Sequence, residues 1–143
     1  MTNGYGDISL PWQELGDRLL ELPKPFVDDR GAIQPIVDAE LGSCVLITCL
    51  PGAVRGNHFH REDWHYAYVM SGRMSYYSRP TGDPAPPTLT VVHAGELMFT
   101  PPGVEHAMVF DEPSVFLALG GASRRQADYE ADLVRTTLIG PGA

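Results

Sequence analysis

Residues 52–72 read GAVRGNHFHREDWHYAYVMSG, and the placing of three histidines in this stretch decides how the chain folds. His58 and His60 are two apart, so on an extended strand both side chains leave the same face. The four residues REDW then give room to turn, and a second strand would start at His65 with Ala67 and Val69 on the same face. A fourth histidine, His106, lies in PPGVEH, residues 101–106, where a Pro-Gly turn precedes it. Only a closed sheet could bring that distant segment back to the first three. Imidazole is the commonest protein ligand for divalent transition metals. The spacing therefore predicts a β-barrel whose interior gathers His58, His60, His65 and His106 around one ion.

The rest of the chain reads as strands with frequent punctuation. The runs AIQPIV (32–37), SCVLITCL (43–50), YAYVMS (66–71), MSYYSR (74–79), TLTVVH (88–93), ELMF (96–99), AMVF (107–110) and SVFLALG (114–120) are each short and rich in β-branched or aromatic residues. Gly, Pro, Asp or Ser bounds each of them, which suits an all-β sandwich or barrel. Residues 10–22, LPWQELGDRLLEL, repeat apolar positions at helical intervals and stop at Pro23, so a short N-terminal helix or turn is expected there. TGDPAPP (81–87) is a loop, because its prolines cannot donate to a ladder. The polar tail from Ser123 to Arg135 has helical or irregular character, and IGPGA closes the chain as a flexible end.

Composition excludes several classes. A chain of 143 residues with 43% hydrophobic content has room for one domain with a core. Ten basic against eighteen acidic residues give a formal charge of −8, and Lys24 is the only lysine. Neutralising phosphates along a nucleic acid needs clustered Lys and Arg, so nucleic acid is not an expected partner. The same charge disfavours strongly anionic substrates unless a local Arg pair overrules the average. Cys44 and Cys49 are five apart, on opposite faces of one strand, so no disulfide is expected within it and both read as buried small hydrophobes. The N-terminal MTNGYGDISLPWQ has no charged region followed by an apolar run, and no segment has the length to cross a bilayer. The expectation is a cytoplasmic protein, not a membrane one.

The motif now becomes specific. Gly52, five residues, His58-Phe59-His60, four residues, His65, six residues and Gly72 resemble the first cupin motif. Gly95, five residues, Pro101-Pro102-Gly103, two residues, His106, three residues and Phe110 are similar to the second. The resemblance implies the cupin double-stranded β-helix, a jelly-roll barrel, over residues 26–123. Residues 1–25 would form an N-terminal helical or extended segment and residues 124–143 a tail. Two positions depart from the family pattern: His65 stands where a Glu ligand is usual and Phe110 where an Asn is usual. A neutral imidazole in place of a carboxylate leaves the ion a stronger Lewis acid, and Phe110, in phase with His106 and Met108, would make the cavity more apolar. Zn is the first expectation for the ion, with Ni, Fe, Co, Mn and Cu also compatible on ligand softness.

Each remaining candidate has a plainer reading. Glu62 or Asp63 could replace His65 as ligand if the turn were shorter, and His93 has no motif slot and reads as a rim residue. Gly52, Gly72, Gly95 and Gly103 read as turn formers, since no helix start follows them to cradle phosphate. The tyrosines and methionines alternating along the strands read as core or cavity lining.

Four functions compete for such a site. The first is a metal-dependent enzyme polarising carbonyls of a keto substrate for enolisation and aldol closure, implied by a resemblance to small cupin polyketide cyclases of antibiotic biosynthesis that use four histidines. Arg55, Trp64, Tyr68 and Glu105 would orient that substrate. The second is a deoxysugar-nucleotide keto-isomerase or epimerase. VDDRGAI (27–33) followed by RGNHFH (55–60) resembles the DxRG and RGxHxH pattern of cupins in sugar-nucleotide biosynthesis, which use His and Tyr as acid and base without a metal. A metal-dependent dioxygenase and a non-catalytic binding cupin are the third and fourth. In every case the partner is a small molecule in the barrel, and the family resemblance implies a homodimer with its contact sought in residues 1–25.

Overall fold

The computed structural model describes residues 16–140. Its strands are β1 (Arg18–Leu20), β2 (Phe26–Asp28), β3 (Gly31–Ile33), β4 (Ser43–Cys49), β5 (Ala53–His60), β6 (His65–Ser71), β7 (Arg73–Pro80), β8 (Thr88–His93), β9 (Leu97–Thr100), β10 (Val104–Phe110), β11 (Ser114–Gly120) and β12 (Leu133–Arg135). One short helix, α1, spans Gln126–Asp132. Two five-stranded antiparallel sheets, in the orders β1-β9-β6-β11-β4 and β12-β5-β10-β7-β8, face each other as a jelly roll, and β2 and β3 form a separate hairpin.

Alternation along the strands sorts side chains between the interior and the outside. In β6, Ala67 and Val69 turn inward with His65, whereas Tyr66 and Tyr68 belong to an outer cluster with Leu97, Phe99 and Leu119. The inner core holds Val69, Met74, Tyr76, Val92, Met98, Phe110 and Phe116, with the Phe110 and Phe116 rings stacked 5.6 Å apart. β10 runs from one end of this interior to the other. His106 sits near its start, opposite His58, and Phe110 at its end, opposite Ala53. The apolar core therefore fills one end of the barrel and leaves the other to the histidines.

Three sequence expectations change. The helix expected over residues 10–22 falls partly outside the described residues; in the rest, residues 18–20 form β1 against β9. Leu20 and Leu22, two apart, cover the outer aromatic cluster, so the period that matters there is two. The strand expected at 32–37 shortens to Gly31–Ile33, because Pro35 has no N–H to continue a ladder. The tail, in addition to its helix, supplies β12, which pairs Leu133 with His60 and Arg135 with His58. The closing IGPGA lies partly outside the described residues; Ile139, which is described, is held by Asn57.

Candidate functional site

β5 reaches the site through a change of phase. Its pairing with β10 sets Ala107 against Gly56 and His106 against His58, so Asn57 is the extra residue of a bulge. Gly56 and Asn57 both adopt positive φ, 82° and 59°. A Cβ on Gly56 would lie 2.8 Å from the His106 carbonyl oxygen, so only glycine fits the close approach of the two strands. One inserted residue flips the alternation. Arg55 before the bulge thereby shares the inner face with His58 and His60 after it, and all three line one cavity.

That cavity, about 160 Å³, is bordered by His58, His60, His65 and His106, with Tyr76, Thr100, Met108 and Phe116 deeper and Arg55, Arg124 and Tyr129 among its other lining residues. The ring of His58 lies 4.9 Å from that of His60 and 4.7 Å from that of His106, and the ring of His60 lies 4.4 Å from that of His65. The nitrogens of His58, His60 and His106 come within 4.8 Å of one another. His65 instead groups with His60 and Asp63 within the same limit, its Nε2 3.4 Å from Asp63 Oδ2. The four imidazoles and Asp63 thus form two triplets sharing His60.

Hydrogen bonds fix which nitrogen faces inward. His106 Nδ1–H donates to the Val104 carbonyl at 3.0 Å, and a carbonyl can only accept. His60 Nδ1 meets Asp132 Oδ2 at 3.0 Å, and a carboxylate also accepts. Both rings are left with Nε2 lone pairs. Burial holds the rings uncharged. It lowers His58 to about 2, helped by the neighbouring imidazoles, and His106 to about 4. The same loss of solvation depresses His65 well below its usual value, with His60 and His106 adding to it, and lowers His60 against the opposing pull of Asp132. Burial raises the Tyr76 phenol well above its usual value, so it stays protonated, with its hydroxyl 2.8 Å from Thr100 Oγ1.

The residues expected to orient a substrate separate. Arg55 lines the cavity, its guanidinium held by the Thr48 carbonyl at 2.8 Å and Cys49 Sγ at 3.2 Å. Trp64 borders a different cleft, of about 440 Å³, with Glu40, Leu41 and Phe99. Tyr68 packs on the outer aromatic cluster, and Glu105, buried at 7% exposure, pairs with Arg79 at 3.0 Å. All three have the opposite strand phase to the histidine nearest them. Phe110, expected to line the cavity, is fully buried in the core below it. Reasoning from sequence missed Arg124, Tyr129 and Asp132, which come from the tail; the three-residue spacing of Tyr129 and Asp132, one face of a helix, was the available signal.

The donor set fits a divalent transition metal. Neutral imidazoles with Nδ1 bound to a carboxylate or carbonyl and Nε2 free are the arrangement metal-binding histidines adopt. His58, His60 and His106 would hold the ion, with His65 adjoining.

Residues 45–120 match the family described as Cupin domain. No curated protein matches the sequence. Among solved structures, the chain is similar to QdtA, a sugar 3,4-ketoisomerase from Thermoanaerobacterium thermosaccharolyticum in complex with TDP. The TM-score is 0.69 at 20% identity, over 85% of this chain and 89% of that one. A 3,4-ketoisomerase from Helicobacter canadensis gives 0.69 at 16% identity over 83% and 90%. The dTDP-4-dehydrorhamnose 3,5-epimerase from Sulfolobus tokodaii gives 0.66 at 18% identity over 80% and 74%. These likenesses correct the first functional expectation. These three structures are two sugar ketoisomerases and an epimerase, which favours the second expectation over a polyketide cyclase, and the Phe110 argument for an apolar bowl fails because that ring packs in the core. With its fold, its two motifs and more than half its length matched, the chain belongs to the cupin family.

Proposed function

We propose that this cupin is an isomerase acting on a keto-sugar nucleotide, moving a proton between carbons beside a ketone. The observation that carries the reading is the set of uncharged imidazoles lining one cavity, among which His60 is hydrogen-bonded to the Asp132 carboxylate at 3.0 Å. A base for this reaction must be unprotonated before it acts and tolerate a positive charge afterwards. His58 and His106, held near 2 and 4, resist that charge, whereas Asp132 lies beside His60 to offset it. His60 Nε2 takes the proton from the hydroxyl-bearing carbon next to the ketone, and the C–H electrons form a C=C bond and leave an enediolate on the carbonyl oxygen. Return of that proton to the former carbonyl carbon, with the hydroxyl proton passing to the former carbonyl oxygen, shifts the carbonyl. Return of a proton to the original carbon from the opposite face gives an epimer instead. Arg55 and Arg124 border the cavity, and neither pairs with a carboxylate among the described residues. This is the local arginine pair that lets an acidic protein accept a diphosphate.

The test is incubation with TDP-4-keto-6-deoxyglucose, the sugar present in one QdtA complex, in deuterated buffer, followed by proton NMR. Exchange of the proton beside the ketone and appearance of an isomer are expected, with His60→Ala slowing both by about 10²- to 10⁴-fold. No exchange and no product would sink the reading.

A second reading, that the site holds a divalent metal with Zn first, is favoured by the closeness of the His58, His60 and His106 nitrogens. A bound ion there would polarise a carbonyl oxygen. Metal analysis decides: about one equivalent that is lost in His106→Ala supports it, and less than about a tenth of an equivalent excludes it. We further read the protein as cytoplasmic and homodimeric. The β2–β3 hairpin, with Phe26, Val27 and Ile33 exposed at 62%, 67% and 66%, offers an apolar contact, while residues 1–15 of the stretch first expected to make it lie outside the described residues. Sedimentation at the monomer mass would refute the dimer.

A further inference from the structure

The carboxylate that completes the histidine cluster comes from outside residues 45–120, the stretch that matches the cupin family. Asp132 is the last residue of α1. Its Oδ2 accepts from His60 Nδ1 at 3.0 Å, its Oδ1 accepts from the Glu62 amide at 2.8 Å, and its backbone carbonyl accepts from the Arg61 amide at 3.0 Å. The Asp63 amide also points at Oδ2, at 3.3 Å. The side chain is thus gripped by consecutive residues of the turn that follows His60. β12 begins at once and pairs Leu133 with His60, which fixes where the helix ends. Three residues earlier, the ring of Tyr129 lies 5.7 Å from that of His60 and 6.4 Å from that of His58, both edge-on. Arg124 lies 4.0 Å over the Tyr129 ring.

A neutral imidazole has one N–H and one lone pair, and which nitrogen carries which is set by the partner of the other. A carboxylate at Nδ1 demands the proton there. Nε2 is then left as the basic nitrogen, facing the cavity. His106 obtains the same tautomer from a backbone carbonyl, so no side-chain substitution can remove it. His60 obtains it from a side chain that can be replaced.

We propose that Asp132 is a positioning residue that holds His60 in its Nδ1–H tautomer with Nε2 toward the substrate, making the C-terminal tail part of the reaction centre. The catalytic consequence rests on His60 acting as the base; the tautomer does not. Protein labelled with ¹⁵N at histidine and freed of metal is read by two-bond proton–nitrogen correlation at neutral pH. His60 should show a pyrrole-type Nδ1 and a pyridine-type Nε2. In Asp132→Ala the two types should mix or exchange at His60 and stay unchanged at His106, while Asp132→Asn, whose amide oxygen still accepts, should keep the native pattern. With TDP-4-keto-6-deoxyglucose, the alanine variant should lose about 10- to 100-fold in kcat at a similar KM. Unaltered His60 signals in Asp132→Ala overturn the proposal. If that variant does not fold, native protein decides, because a pyrrole-type Nε2 at His60 overturns it equally. A native tautomer as expected in a protein that leaves the keto sugar untouched supports the positioning role and defeats the isomerase reading.

Discussion

At the scale of single residues, the histidines were legible in the sequence because a spacing of two on a strand fixes a shared face. The same parity was available for the other candidates. Tyr68 stands three residues from His65 and Glu105 one from His106, so each was bound to face away, as the outer cluster and the Arg79 pair show. Arg55 stands three from His58 and would also face away, but the bulge at Asn57 restores it to the cavity. No side-chain pattern announces a bulge, although GN at 56–57 is the pair that tolerates positive φ. Gly120 allows the role of His65 to be separated from the rest. A Cβ there would lie 2.8 Å from His65 Nε2, so Gly120→Ala should push that ring aside. Because His65 stands outside the His58, His60 and His106 group, turnover of the keto sugar should stay within about tenfold of native, against the far larger loss in His60→Ala. A Gly120→Ala protein that folds and is as inactive as His60→Ala would place His65 in the chemistry.

At the scale of elements, β4, β6, β7, β8, β9 and β11 were read to within a residue at each end, since a period of two survives any tertiary arrangement that buries one side, whereas β10 was read only from Ala107 and β5 only at its histidines. Reading failed at the two ends of the chain. Residues 18–22 have apolar spacings that suit helix and strand alike, and the choice is made by β9, a partner almost eighty residues away. The tail was read as partly helical, but its strand exists because β5 offers a free edge. Asn57 clamps this arrangement: its side chain donates to the Ile139 carbonyl at 2.9 Å and accepts from the amides of Leu138 and Ile139 at 3.0 and 2.9 Å. Asn57→Ala removes all three and puts a residue less tolerant of the left-handed region at φ 59°. The expected cost is about 1–3 kcal/mol of stability by urea denaturation, with amide exchange accelerated over residues 133–139 before it changes in β10 or β7. Uniform acceleration through the sheets, or none, would show that the tail is held by other contacts.

For the whole molecule, the jelly roll was legible because two motifs whose histidines stand more than forty residues apart each demand a histidine at one point, and only closure satisfies both. The cost of that closure was not legible: it removes four imidazoles from water. A buried histidine whose folded-state pKa is depressed takes up no proton as pH falls below about 6.5, whereas the unfolded chain does. The folded state is therefore unaffected above that pH and loses ground below it, until the folded pKa is reached. For His106, held at about 4, the loss between those limits amounts to roughly 3 kcal/mol. His58, held at about 2, continues the decline below pH 4. Asp63, whose carboxyl is raised by burial, acts with the opposite sign and softens the fall at the acid end. Metal-free protein should accordingly have a unfolding free energy that is flat from about pH 8 to 6.5 and falls steeply from there to pH 4. Replacing His106 by Gln, which keeps a polar side chain but cannot titrate, should make the slope shallower by about 1.4 kcal/mol per pH unit. Equal slopes for native protein and the His106→Gln variant would mean that the ring takes up protons freely in the folded state, and the water-excluded cluster on which the site depends would have to be abandoned.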